Sequence, residues 1–163
     1  MSTTVKTHKG KQVWISSARP ATNDAAGFEA LTWVRLTGYV GGLALGMEGA
    51  SVEVEDIALG LTLSGRGLDA GKESEISYRR VDDDTGQALV GTITATCAGS
   101  GSVKVIAAAC NAAAAEGDPV AYAQGYFMGA GDNEITGGDP DQGLVTFKQE
   151  LPSVKAAEPA SGG

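Results

Sequence analysis

Histidine is all but missing from this chain: His8 is the only one in 163 residues, and it stands among lysines near the start. Without an imidazole in the body of the sequence, no serine or cysteine nucleophile has a nearby base, and a Cys/His zinc site has too few ligands. Cysteine is scarce as well. Cys97 and Cys110 make no Cys-x-x-Cys pair and lie among small or apolar residues, so two buried free thiols are expected. Positive charge is short, with 12 Lys and Arg against 20 Asp and Glu and a net charge of −8. That balance excludes the counterion-releasing surface of a sequence-independent DNA or RNA binder and disfavours anionic membranes. No apolar run approaches the roughly 18 residues of a membrane span. The polar start lacks the apolar stretch of a signal peptide, so the chain is expected to be made and kept in a cytoplasm.

Large aliphatic side chains are sparse, whereas glycine is abundant at 24 residues. Glycine supplies turns and close backbone contacts but nothing to bury, so the core must be thin. One domain fits this length and a second of ordinary size does not. A thin core also means that the chain gains much by associating. Charge is unevenly spread: residues 1–19 hold Lys6, Lys9, Lys11 and Arg19 and no acid, and the acid excess lies wholly in residues 20–163. A basic arm over residues 1–11, a body over 12–151 and a flexible tail over 152–163 are the expected divisions.

Within the body, β-branched and aromatic residues predict a strand at Gln12–Ser17. Arg19–Leu31 predicts one short helical turn capped by Asn23 or Asp24 and anchored by Phe28 and Leu31. Residues 32–45 alternate loosely as a strand kinked at Gly41-Gly42. Ser51–Glu55 and Ile57–Ser64 alternate with period two, setting Val52, Val54, Leu59, Leu61 and Leu63 against Glu53 and Glu55, which reads as a long hairpin. Arg66–Gly71 is expected to turn the chain into a strand at Glu73–Arg80. Asp82-Asp83-Asp84-Thr85 caps a helix continuing over Gln87–Ala95. Ser102–Ala109 suits a buried strand, although the alanines through Ala115 also suit a helix. Strands at Val120–Met128 and Leu144–Leu151 complete the body, the last burying Val145, Phe147 and Leu151.

No constellation here carries catalysis. A calcium loop opening at Asp82 has Ile93 where its chelating acid belongs. Asp132, Glu134, Asp139 and Asp141 crowd one loop that could gather round calcium, but solvated acids are the plainer expectation. The glycine pairs and triplets lack the Lys-Ser/Thr of a phosphate cradle. No catalytic residue, cofactor or metal is therefore predicted, and no enzyme.

The stretch Pro20–Trp33, PATNDAAGFEALTW, resembles the major tail tube proteins of long-tailed, siphovirus-like bacteriophages, in which Pro-Ala-Thr, Asp-Ala-Ala-Gly-Phe and Ala-Leu-Thr-aromatic runs occur together. The later order also resembles that family: a long hairpin over Glu48–Arg66, a strand ending at Arg80 and one helix over Asp83–Ala95. The resemblance implies a mainly β fold, two packed antiparallel sheets with one flanking helix and a long hairpin. It implies hexameric rings stacked into a hollow tube that conducts DNA from capsid to host without binding it specifically. Implied partners are further copies, a tape measure protein inside the tube, a tail terminator and distal tail or baseplate proteins. Its place is the virion tail, assembled in the host cytoplasm.

On that resemblance Glu48, Glu53, Glu55, Asp56 and Arg66 belong to the inter-ring hairpin, with Arg66 meeting an acid of the next ring. Glu53 and Glu55, or Glu73 and Glu75, are candidates for the lumen wall, where fixed carboxylates repel phosphate. Phe28, Leu31 and Trp33 are candidate intersubunit or core anchors, and Lys6, Lys9 and Lys11 candidate arm contacts. Two other classes fit the same pattern: a tube of a contractile injection or type VI secretion-like system, and a monomeric or trimeric β-sandwich decoration module.

Overall fold

Val13 and Ile15 are fully buried on one side of β1 (Lys11–Ser16), while Gln12 and Trp14 point to the other, as the alternation of the sequence requires. The computed structural model describes residues 8–109, 112–132 and 136–160. Asp24 caps α1 (Ala25–Glu29) by accepting from the Gly27 amide at 2.8 Å, and that bond lowers its carboxyl below the usual range, with Thr22 adding a second. The following segment is not one kinked strand but two short ones, β2 (Val34–Arg35) and β3 (Tyr39–Gly41). Gly38, at φ +78, lets the chain turn between them.

Next come β4 (Met47–Asp56) and β5 (Leu61–Gly71), then β6 (Glu73–Arg79). The expected turn at Arg66–Gly71 is strand instead, because the register slips at a bulge between Gly49 and Ser51 and pairing then continues to Met47–Gly71. Asp84 caps α2 (Thr85–Thr94) through the Gln87 amide at 2.9 Å. After β7 (Ser100–Ala107), residues 108–109 and 112–118 are irregular rather than helical. β8 (Pro119–Asp132), β9 (Gln142–Gln149) and β10 (Val154–Ala157) complete the chain.

The fold is mainly β, with two sheets and few helices. The larger sheet runs β2-β1-β7-β8-β9-β6-β3, and β10 adds to β8 where β9 ends. β4 and β5 form the second sheet as a two-stranded ribbon. One core cluster joins Val13 and Ile15 of β1 through Val103, Ala123, Phe127, Val145 and Phe147 to Ile76 and Tyr78 of β6, with Val90 and Ile93 of α2 laid across it. On the opposite sheet face α1 seats Phe28 against Tyr122, Ile106 and Val120.

Three expectations fail here. Leu151 is exposed, because β9 stops at Gln149 and the chain kinks; Gln149 takes the inward place at 1% exposure. Cys97 is exposed beyond the end of α2, not buried, and Cys110 lies outside the described residues. The tail expected from Pro152 onward holds β10, since β8 offers an unpaired edge beyond Gly125 that Val154–Ala157 fills.

Candidate functional site

In the ribbon, Val54 lies opposite Leu63 and Asp56 opposite Leu61, while Ser51, Glu53 and Glu55 face Arg66, Ser64 and Thr62. Directly opposed residues project to the same side of an antiparallel pair. Val52, Val54, Leu61 and Leu63 therefore make one apolar face, and Glu53, Glu55, Thr62, Ser64 and Arg66 the polar one. Neither face is covered by other described residues. Val54 is 60% exposed, Leu61 58%, and Ile57 at the tip 93%. A two-stranded ribbon with bare aliphatics on one face is marginal in water, and that patch is the candidate interaction surface of the chain.

The ribbon is tied to the body at its root. The Lys72 amide donates to the Gly46 carbonyl at 3.0 Å, and the Gln149 amide donates to the Lys72 carbonyl at 3.0 Å. The buried Gln149 side chain completes the joint: its Oε1 accepts from the Gly46 amide at 2.9 Å, and its Nε2 donates to the Leu151 carbonyl at 2.7 Å and to Ser153 Oγ at 3.0 Å. Gly71 has to be glycine here, because a Cβ would fall 1.8 Å from the Gln149 carbonyl oxygen.

The candidate residues scatter across several surfaces. Glu53 and Glu55 stand exposed on the polar face of the ribbon. Asp56 accepts from the Leu59 amide at 3.0 Å in the tip turn, and Glu48 lies 3.9 Å from Lys72 at the root. Arg66 grips both oxygens of Asp69 at 2.8 Å on its own strand. Glu73 and Glu75 share the exposed face of β6, where Glu73 is opposite Lys148. Phe28 is buried, with Leu31 and Trp33 half-buried beside it: Phe28 stacks on Tyr122 at 5.1 Å, Trp33 Nε1 donates to the Phe28 carbonyl at 3.0 Å, and Leu31 packs on the same cluster. Lys9 is exposed, Lys11 begins β1 rather than a free arm, and Lys6 and Glu134 lie outside the described residues. Asp132 and Asp141 both meet Arg80, so a guanidinium occupies the place between them.

Several organising residues carry no signature in sequence. Lys104 is 6% exposed on β7, its Nζ 3.2 Å from Glu158 and 5.0 and 5.5 Å from the ring centres of Trp14 and Trp33. This pair fastens the segment after β10 to the sheet. Burial, with Glu158 and Glu29 nearby, pushes Tyr122 up to about 12. Arg19 pairs with Glu150 and lies 4.4 Å over the Tyr126 ring. Only the alternation of β9 hints at any of these, by placing Gln149 in phase with Val145 and Phe147.

No protein-family model and no curated protein matches this sequence. Solved structures do match, across almost the whole chain. One is the sheath/tube terminator of an extracellular contractile injection system, PVC, in its extended state: TM-score 0.60 and 9% identity, covering 96% of this chain and 99% of that one. A second is a chain of the anti-feeding prophage tube-terminating cap, with TM-score 0.58 and 7% identity over 97% and 94%. A third, from the six-fold-symmetrised anti-feeding prophage baseplate, gives TM-score 0.61 and 6% identity over 99% and 100%. The chain thus shares the fold of components of phage-tail-like assemblies, and the long-tailed-phage tube that the sequence resembles is the narrower description.

Proposed function

We propose that this chain is a structural, non-enzymatic subunit of a tail-type tube, of the contractile-injection kind in preference to the tube of a long-tailed phage. The observation that carries the reading is the bare apolar face of the ribbon, standing off a body whose fold matches tail components over nearly its full length. Copies join into hexameric rings, the ribbon reaches a neighbouring ring, and terminator, cap or baseplate proteins meet the stack at its ends. A tape measure protein fills the bore before ejection. The finished object is an external tail, assembled in the host cytoplasm.

Of the two acid pairs, Glu73 and Glu75, exposed together on β6, suit the lumen better, because the ribbon that carries Glu53 and Glu55 is taken up by the neighbouring copy. Exposed carboxylates on a bore repel phosphate, so DNA passes without being held. Electron microscopy of the purified protein tests the proposal. Rings or hollow filaments are expected from the natural sequence, and folded monomers from a Leu61→Asp/Leu63→Asp variant. A ribbon variant that assembles as the natural protein does would overturn it.

A further inference from the structure

The sheet face that α2 covers continues past the helix without a lid among the described residues. Val105 lies opposite Ala121, and Ala121 opposite Lys155, while Lys11 lies opposite Ala107. By the pairing rule these five share one side of β1, β7, β8 and β10. They form an open groove of about 650 Å³, with Val105, Ala107 and Ala121 on its floor and Lys11, Lys155 and His8 on its rim. The floor is the same face as the core, since Val105 packs against the cluster under α2. Apolar core face therefore runs out into solvent between cations.

We infer that this groove receives the ribbon of a second copy of the chain, an inference that rests on the reading of the ribbon as the assembly arm. Three observations select this occupant. Shape is complementary: the ribbon presents large side chains, Val54, Leu61 and Leu63, and the groove floor presents small ones, Ala107 and Ala121. Charge is complementary: residues 47–71 hold five acids and one arginine, and the rim holds two lysines and the sole histidine of an otherwise acidic chain. Long lysine stems can follow the edge of a seated ribbon and bring their ammonium groups to Glu53 and Glu55. Lastly, groove and ribbon are different surfaces of one molecule: the ribbon face is exposed, and the half-buried groove floor has no lid among the described residues. A donor surface seated on a separate acceptor surface is a head-to-tail contact, which repeats from copy to copy into a closed ring or a filament.

The test uses full-length protein in three versions, each first shown to be folded by circular dichroism. Lys11→Glu/Lys155→Glu reverses the rim, Leu61→Asp/Leu63→Asp spoils the ribbon, and Glu53→Lys/Glu55→Lys added to the rim variant restores opposite charges. The rim variant is expected to need about tenfold more protein for half-assembly, and the charge swap to recover most of that loss. An equimolar mixture of rim and ribbon variants should stop at small complexes, because each copy keeps only one working surface. In a Cys97→Ser/Cys110→Ser background, Leu63→Cys in one copy and Ala107→Cys in another should form a mixed disulfide on mild oxidation with copper phenanthroline. Normal assembly of the rim variant, with the ribbon variant monomeric, would overturn the groove as acceptor while leaving the ribbon its role. Normal assembly of the ribbon variant, or a natural protein that stays monomeric at every concentration reached, would overturn both.

Discussion

β9 and the ribbon are written in the same pattern and end differently. Along β9, Val145, Phe147 and Gln149 alternate with Leu144, Thr146 and Lys148, and the first three are fully buried. Along β5, Leu61 and Leu63 alternate with Thr62 and Ser64 just as regularly, yet each leucine is half exposed or more. Period two states which side chains share a face; it does not state what lies against that face. In β9 the cover comes from the same chain, in the cluster that Val145 and Phe147 share with Val90 and Ile93 of α2 and with Leu43 and Leu45. In the ribbon no described residue covers the apolar face, and on the proposed reading that difference separates folding from assembly.

Truncation probes the contrast most sharply. Phe147→Ala should cost about 3–5 kcal/mol of unfolding free energy by chemical denaturation, from lost transfer energy and the cavity left behind. Leu63→Ala should change the stability of the monomer by less than about 0.5 kcal/mol while weakening assembly, since its side chain stands half in solvent on an uncovered face. A large monomer destabilisation from Leu63→Ala would show that the two regions are one unit. Next in size is Glu158→Ala, which removes the carboxylate paired with the buried Lys104 ammonium beside Trp14 and Trp33. About 3 kcal/mol of destabilisation is expected in the same assay, and Lys104→Met/Glu158→Ala should recover part of it.

Alkali gives the smallest effect. Tyr122 is raised from its ordinary 10.0 to about 12 in the folded state, so its neutral form is favoured by folding. The contribution is whole below pH 10, where unfolded tyrosine is still protonated, and it is lost as pH rises through about 12. Unfolding free energy measured against pH should fall over that window for the body and less steeply in Tyr122→Phe. The ribbon has no tyrosine, so a ladder that melted in the same window for its own reasons would blur the comparison.

What could be read from sequence was mostly what local chemistry decides. Asp24 and Asp84 cap their helices because a carboxylate one residue before a helix meets free amides whatever lies around it. The strands of the core show in their alternation for a similar reason. β10 did not show, because Val154–Ala157 is short, half alanine and closely followed and preceded by prolines; it is a strand only because β8 presents an open edge. The continuation of β5 through Arg66–Gly71 was hidden by glycines that usually signal a turn, and here serve a bulge and a close approach. Among the candidate site residues, Glu53 and Glu55 share one strand face as their alternation requires, while Asp56 lies opposite Leu61 on the other. Phe28 is core and Leu31 and Trp33 pack half-buried against it, since an aromatic run says that burial is needed and leaves the partner unnamed.

Gly60 sits in the turn that joins the two ribbon strands, at φ +61 with open space beside it. Its peptide bonds could be cut or extended at little cost to the body, because every strand pairing outside the ribbon lies elsewhere in the chain. A short insert placed there would ride on the ribbon into whatever contact the ribbon makes, and so report its occupancy directly.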